Sequence, residues 1–263
     1  MTGKLQRIPV LMYHRVGETH NAWERRFCIS PEQFAAHMQQ LASLGMRACS
    51  LEEFVDWLGN RRELPEGSFL LTFDDGFLGV YEHAAEVLRD LDWPATVFLV
   101  SRLIGGEDVW CRSENPGGAT YPLLAREHID VMRRTGFTFQ SHTRVHADLT
   151  TLSEDELAED LAGSRRDLED LLGEKIRYLA YPYGRINERV INATREAGYV
   201  AAFSTQPGFN RRNVDHYRIR RLDIFGTDTP RMLARKIFYG SNDGSWQQTF
   251  RYYRGRAAAR LGL

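Results

Sequence analysis

Two adjacent carboxylates and a pair of histidines are the residues of this chain best suited to chemistry. Asp74 and Asp75 directly follow the apolar run 69–73, and burying two acids is costly unless something pairs with them. His142 and His146 stand four residues apart, a spacing that can bring two imidazoles to one metal ion in a helix or a tight turn. Two neutral imidazoles and one carboxylate make a three-ligand site with open positions for water and substrate. These residues predict the divalent metal centre of a hydrolase.

The two acids need different roles in such a centre. Consecutive residues of a strand point to opposite sides, so Asp74 and Asp75 reach one site only if the chain turns there. Gly76 permits that turn, after which one acid binds the metal and the other stays free as a base. The alternatives are an Asp-Asp-Gly surface turn and two histidines with a purely structural use. The strongly apolar run before Asp74 argues against the surface turn.

The elements that would position these residues alternate regularly. The sequence predicts strands over 8–14, 46–49, 68–73, 94–100, 137–141, 176–181, 199–203 and 217–225. It predicts helices over 30–45, 50–58, 79–91, 123–135, 153–172, 188–196 and 230–238, and a long loop over 101–122. Such alternation predicts an α/β fold with a mainly parallel sheet or barrel. In a parallel barrel the carboxyl ends of the strands share one face, where active sites lie. Four predicted strands end there in polar residues, at His14, Asp74–Asp75, His142 and 181–184.

Composition excludes several other classes of protein. The formal net charge of -1 over 263 residues gives no bias toward nucleic acid or an anionic membrane. Three cysteines without CxxC spacing argue against a disulfide framework and favour a reducing compartment. The chain shows no signal peptide and no apolar run of membrane-spanning length. We therefore expect a cytoplasmic protein.

One domain is the simplest interpretation, with a catalytic unit over 1–240 and a basic, aromatic tail over 241–263. The tail mixes Phe250 and neighbouring aromatic residues with four arginines, Arg251, Arg254, Arg256 and Arg260. A solvated terminal helix and a peripheral contact with anionic lipid or a lipid-linked substrate both fit this composition.

Three motifs together resemble the polysaccharide deacetylase family, also called the NodB-homology or carbohydrate esterase 4 group. The segment 72–76, Thr-Phe-Asp-Asp-Gly, resembles the family's first motif. The segment 141–146, with its two histidines, resembles the second, and 181–184, Tyr-Pro-Tyr-Gly, resembles the third. The resemblance covers roughly residues 8–225 and implies a distorted (β/α)7 barrel.

The resemblance also implies roles for these residues. Asp75, His142 and His146 would bind one divalent metal, and Asp74 would be the general base. The backbone N–H of Tyr183 would help to form an oxyanion hole, because the preceding proline has no N–H to give. Zinc is the default metal for these ligands, and cobalt, nickel, manganese or iron would also fit.

Two departures from the family pattern leave roles to be filled elsewhere. No arginine stands in the third motif to orient the base, and the predicted strand 217–225 offers Arg221 instead. No Leu-x-His stands near the C-terminus to supply the acid. The segment 9–14 resembles the first strand of the subgroup that includes poly-N-acetylglucosamine deacetylases, which implies that His14 is the acid. Trp110, in the long loop, and Tyr181 are the predicted sugar contacts.

The predicted function is the hydrolysis of an N-acetyl group on an amino sugar, within a polysaccharide or its lipid-linked or nucleotide-linked precursor. A cytoplasmic location would favour the precursor of an exopolysaccharide. Two alternatives stay open: a metal-dependent amidase for a small amide or cyclic imide, and a non-catalytic saccharide-binding module of the same fold.

Overall fold

A parallel sheet surrounded by helices forms the body of the protein. The computed structural model describes residues 6–248. The strands are β1 Val10–Tyr13, β2 Arg15–Val16, β3 Cys28–Ile29, β4 Arg47–Cys49, β5 Ser68–Phe73, β6 Ala95–Leu99, β7 Phe137–Ser141, β8 Tyr178–Ala180, β9 Ala201–Phe203 and β10 Leu222–Asp223. The helices are α1 Pro31–Ser43, α2 Leu51–Leu58, α3 Ala85–Asp90, α4 Arg126–Met132, α5 Glu154–Leu172, α6 Glu188–Glu196 and α7 Pro230–Tyr239. Side chains of Ser30, Ser50 and Ser153 cap α1, α2 and α5 as the sequence indicates.

Eight strands within the described residues form one curled sheet in the order β10-β1-β5-β6-β7-β8-β9, with β4 also paired to β5. Every pairing in it is parallel. The segment just before β10 closes the curl, because Ile219 exchanges backbone hydrogen bonds with β9 while β10 pairs with β1. This arrangement confirms the predicted distorted barrel.

Strand residues alternate between the interior of the barrel and the layer under the outer helices. Val10, Leu70 and Phe98 belong to the inner cluster, which α2 joins through Phe54 and Trp57. Their sequence neighbours pack outward in a second cluster against the remaining helices, for example Leu11, Leu71 and Leu99. Because α2 fills the inside at one end, a cleft remains at the carboxyl ends of the strands.

Two predicted elements differ from the structure. The predicted strand 217–225 is reduced to a bridge at Ile219 and the two residues of β10, because this segment changes partners from β9 to β1 as it closes the barrel. The segment after His14, for which the sequence predicts no strand, contains β2 and β3, which pair with each other outside the main sheet. Periodicity does not detect strands of two residues.

The expected division into a catalytic unit over 1–240 and a tail over 241–263 stays a prediction. The four tail arginines lie outside the described residues. Among residues 6–248, no helix is long and apolar enough to cross a bilayer.

Candidate active site

Asp75, His142 and His146 converge at the carboxyl edge of the barrel. The Nε2 atoms of the two histidines lie 3.3 and 3.2 Å from the same oxygen, Oδ1 of Asp75. One ligand atom from each residue lies within 4.8 Å of the others. All three residues are buried at the base of a cleft of about 310 Å³.

The chemistry of these atoms fits a cation. Nδ1 of His142 lies 2.8 Å from the backbone oxygen of Ala180, which can only accept, so Nδ1 carries the proton of the neutral ring. Its Nε2 then presents a lone pair to Asp75, whose buried Oδ1 accepts no hydrogen bond from residues 6–248. Lone pairs facing each other repel, and a divalent ion bound among them removes the repulsion. The three residues therefore suit a metal site with two nitrogen ligands and one oxygen ligand.

The charges of the acids also act on the imidazoles directly. Burial alone lowers the pKa of His142, but the carboxylates of Asp74 and Asp75 outweigh it and raise that pKa. Burial raises the pKa of Asp75, but its contacts with the two histidines outweigh burial and hold it far below the ordinary value. At His146 burial outweighs the charge of Asp75 and lowers the pKa, so the acids stabilise a positive charge on His142 but not on His146.

Left-handed backbone positions bring the ligands together. Asp75 has φ of 72° and Gly76 has φ of 78°, so the chain turns directly after β5 and both acids face the cleft. A Cβ at Gly76 would lie 2.7 Å from the side chain of Leu99. Thr143 and His146 also have positive φ, 69° and 61°. Such strained positions cluster at functional sites.

The loop that carries the two histidines is fastened to α5. The backbone N–H of Arg144 donates to Asp160 at 3.1 Å, and its guanidinium donates to Asp167 at 2.9 and 3.2 Å. Gly163 leaves the room that this side chain occupies, since a Cβ there would lie 2.7 Å from the guanidinium. The spacing of His142 and His146 is therefore fixed from outside the cleft.

Asp74 is bound by an arginine, and its Oδ2 lies 3.9 Å from Nε2 of the candidate ligand His142. Both of its carboxylate oxygens accept hydrogen bonds from Arg221, at 2.6 and 2.8 Å. Burial raises the pKa of Asp74, but the charge and hydrogen bonds of Arg221 outweigh it and hold that pKa below the ordinary value. Arg221 itself is fully buried and donates to the backbone oxygen of Ser204 at 3.0 Å.

His14 and Trp110 both line the cleft that contains the candidate metal site. The ring of His14 packs edge-on against Phe27 at 5.6 Å, and its buried Nδ1 has no hydrogen-bond partner within residues 6–248. Trp110 stacks on His146 with ring centroids 4.4 Å apart. The indole thus covers one candidate ligand at the wall of the cleft.

Both tyrosines of the third motif line the cleft, and Tyr181 also packs in the outer cluster. Tyr183 has φ of 58°, lines the cleft, and packs its ring edge-on against His146 at 4.8 Å. Tyr181 follows Leu179 at a two-residue interval, so its side chain packs in the outer cluster. It has no exposed surface, and Thr194 of α6 lies beside its hydroxyl. Because Tyr181 is also among the residues that line the cleft, its contact with a sugar stays a prediction.

Sequence reasoning missed two buried acids of the cleft, Glu24 and Asp108. Glu24 binds both loops that flank the cleft. Burial raises the pKa of Asp108 to about 6, despite a hydrogen bond from the backbone of Tyr121. Neither acid stands in a motif, although the length of the loop 101–122 is itself typical of a functional loop.

A parallel α/β barrel that gathers two histidines and two acids at its carboxyl edge defines a class of hydrolase with a candidate metal centre. A sequence profile described as Polysaccharide deacetylase matches residues 61–202, more than half of the chain. The chain therefore belongs to the polysaccharide deacetylase family, a family of carbohydrate deacetylases. The resemblance given by the three motifs is confirmed.

Curated relatives and solved structures are similar to this chain over most of its length. The poly-beta-1,6-N-acetyl-D-glucosamine N-deacetylase of Staphylococcus epidermidis is 28% identical over 207 residues, which are 75% of this chain and 68% of that protein. The structure of IcaB from Ammonifex degensii matches with a TM-score of 0.74 and 28% identity, over 87% of this chain and 96% of that one. The Streptococcus pyogenes deacetylase PplD has the same fold, with a TM-score of 0.76 at 23% identity over 89% and 99%.

Proposed function

We propose that this protein is a metal-dependent hydrolase that removes N-acetyl groups from an amino sugar of a polysaccharide or its precursor. The observation that carries the proposal is the arrangement around Asp75. The two histidine Nε2 atoms meet one orphaned carboxylate oxygen, while Asp74 stands beside them on Arg221. A site for a cation and a separately held base is what amide hydrolysis at neutral pH needs.

Asp75, His142 and His146 are the proposed metal ligands. A divalent ion held by them would polarise the acetyl carbonyl and lower the pKa of a water molecule beside it. Asp74 takes the proton of the attacking water. Arg221 keeps Asp74 ionised and fixes its orientation, so that the carboxylate is ready to accept this proton.

Tyr183 and His14 are proposed for the other two steps. The backbone N–H of Tyr183, presented by its left-handed conformation, would donate to the oxyanion of the tetrahedral intermediate. His14 would then protonate the leaving amine, for which its half-buried position in the cleft is suited. Trp110 offers an aromatic face to the sugar that carries the acetyl group.

The relatives support an acetylated amino sugar as substrate. The Staphylococcus epidermidis protein is named as an N-deacetylase of poly-beta-1,6-N-acetyl-D-glucosamine. This chain matches 96% of the length of IcaB from Ammonifex degensii. We therefore propose N-acetylglucosamine units as the first substrate to test. A lipid-linked or nucleotide-linked precursor in the cytoplasm stays a prediction, which cell fractionation of the native protein tests.

Acetate release tests the proposal against the two other functions. Protein loaded with zinc, cobalt, nickel, manganese or iron is incubated with β-1,6-linked N-acetylglucosamine tetramer, with small amides and with cyclic imides. We expect acetate from the tetramer and loss of the activity after chelation. Turnover of the small amides or imides alone would favour the amidase, and tetramer binding without any turnover would favour the binding module.

A further inference from the structure

Two loops that are distant in sequence form the walls of the cleft. The first wall loop, 15–29, follows β1, and the second wall loop, 101–122, follows β6. Apart from the two-residue strands β2 and β3 they contain only single turns of 3-10 helix. Regular structure therefore does little to fix the distance between the walls.

The carboxylate of Glu24 joins the two wall loops. Glu24 belongs to the first loop and is 2% exposed. Its oxygens accept five hydrogen bonds: from Arg15 Nη2 at 3.0 Å, the His20 backbone N–H at 2.8 Å, Asn21 Nδ2 at 3.2 Å, Asn115 Nδ2 at 3.1 Å and the Tyr121 hydroxyl at 2.6 Å. A carboxylate has about four lone-pair sites, so this one is fully used. Two of the five donors, Asn115 and Tyr121, come from the second loop.

Further contacts make the junction stiff. Nδ2 of Asn21 also donates to Oδ1 of Asn115 at 2.8 Å. The guanidinium of Arg15 lies over the ring of Tyr121, 3.5 Å from its centre, and pairs with Glu24 as a cation. Hydrogen bonds to an ionised group are about twice as strong as neutral ones. Glu24 is therefore the centre of a buried network that holds the walls at one separation.

Both wall loops carry aromatic rings that line the cleft. Trp23 and Phe27, on the first loop, pack together with their centroids 5.2 Å apart and line the cleft beside the arginine of residue 26. Trp110, on the second loop, stacks on His146. A sugar whose acetyl group lies at the candidate metal centre would contact Trp110. The neighbouring sugar of the same chain would then contact Trp23 and Phe27.

We propose that Glu24 is a positioning residue that fixes a second saccharide subsite, formed by Trp23 and Phe27 of the first wall loop and held in place relative to Trp110 of the second. This subsite makes oligomers of acetylated amino sugars better substrates than the monosaccharide. The inference rests on the proposed function for its substrate class. The subsite contains none of the proposed metal ligands and neither Asp74 nor Arg221, and its contact with a ligand is the stacking of Trp110 on His146.

Kinetics with substrates of two lengths test this role. Glu24→Gln keeps the volume of the side chain but removes the charge and places an NH2 group among donors. For the β-1,6-linked N-acetylglucosamine tetramer we expect KM to rise about tenfold, as the loss of a charge-assisted hydrogen bond implies, with kcat and metal content unchanged. For the monosaccharide we expect no change in kcat/KM. Tyr121→Phe removes one of the five donors and should raise KM for the tetramer by a smaller factor.

The control is Glu63→Gln, which removes a carboxylate that pairs with Arg212 at the surface and is 77% exposed. It should change neither substrate's kinetics. If Glu24→Gln lowered kcat/KM equally for the tetramer and the monosaccharide, the proposal would be overturned, because a general loosening of the fold would explain that loss. An unchanged KM for the tetramer would overturn it as well.

Binding separates this inference from the proposed function. If the wild-type protein releases no acetate, calorimetric titration with the tetramer still measures the subsite. Weaker binding in Glu24→Gln than in the wild type would support the subsite although the proposed reaction had failed. Equal binding in both would contradict the subsite.

Discussion

The guanidinium of Arg221 holds both carboxylate oxygens of Asp74 across 147 residues of chain, at 2.6 and 2.8 Å. Both side chains are almost completely buried. The pair sits where the chain closes the barrel, because Arg221 precedes β10 and Asp74 follows β5. The same short segment therefore closes the sheet and orients the proposed base.

Replacing Arg221 tests this pair. Arg221→Gln leaves a buried carboxylate without its cation, which costs about 3–5 kcal/mol of folding free energy. Arg221→Lys keeps the charge but loses the two-pronged geometry, so it should be the more stable variant and still lose at least about tenfold in kcat. Urea unfolding and acetate release measure the two effects. Arg212→Gln at the surface is the control, and wild-type kcat in Arg221→Lys would contradict the proposed orientation of the base.

Removing a candidate ligand should remove the metal. His142→Gln and His146→Gln are each expected to lose the bound ion and all measurable turnover, because two remaining ligands hold a divalent ion weakly. Elemental analysis of purified protein gives the metal content per chain. The exposed His216 is the matched control, and His216→Gln should keep one ion per chain. Full metal content in both ligand variants would show that the ion binds elsewhere.

His14 is proposed to protonate the leaving amine, and this role depends on the leaving group. His14→Gln should keep the metal and lose about 10²- to 10⁴-fold in kcat on the acetylated amino sugar. An aryl acetate ester has a leaving group that needs no proton, so its hydrolysis should be nearly unchanged in this variant. Equal losses on amide and ester would contradict the assignment of His14 as the acid.

A buried histidine outside the cleft should make stability depend on pH. Nε2 of His37 donates to the backbone oxygen of Asp228 at 2.6 Å, and its Nδ1 accepts from the hydroxyl of Tyr13 at 3.0 Å. Burial lowers the pKa of His37, and Lys236 lowers it further, more than the carbonyl and carboxylate of Asp228 raise it. The folded chain therefore binds this proton less readily than the unfolded chain, whose value is 6.5.

This difference in pKa between the folded and the unfolded chain sets the direction of the pH dependence of stability. The contribution of neutral His37 is complete above the unfolded pKa and is lost as the pH falls below about 6.5. Urea unfolding between about pH 8 and pH 5 should show a steeper loss of stability in the wild type than in His37→Gln. The exposed His216 is again the control. Parallel curves for the wild type and His37→Gln would show that His37 does not titrate in this range.

Much of the fold was predictable because its signals are local. Buried runs such as 68–73 and serine caps such as Ser50 and Ser153 mark strands and helix starts directly. The two-residue strands and the broken last strand were not predictable, because long-range pairing alone stabilises them. The barrel closes because Ile219 pairs with β9 while β10 pairs with β1. Neither pairing can be predicted from the local sequence.

The candidate site also contains residues that the sequence predicts and residues that it does not. Asp74, Asp75, His142 and His146 stand in motifs, and Arg221 was inferred as the substitute for an arginine missing from the third motif. The motif does not show which face of the strand Tyr181 occupies, so its contact with a sugar stays a prediction. Glu24 lies in no motif, and its five hydrogen-bond donors are four side chains and one backbone N–H from five different residues. Such a network appears only in three dimensions.

The central claim is that Asp74 acts as a base beside an ion that other residues hold. Asp74→Asn tests it when metal content and acetate release from the β-1,6-linked N-acetylglucosamine tetramer are measured on the same sample. We predict one ion per chain in both proteins and a loss of about 10²- to 10⁴-fold in acetate release in the variant. Acetate release at the wild-type rate by metal-loaded Asp74→Asn would contradict the account.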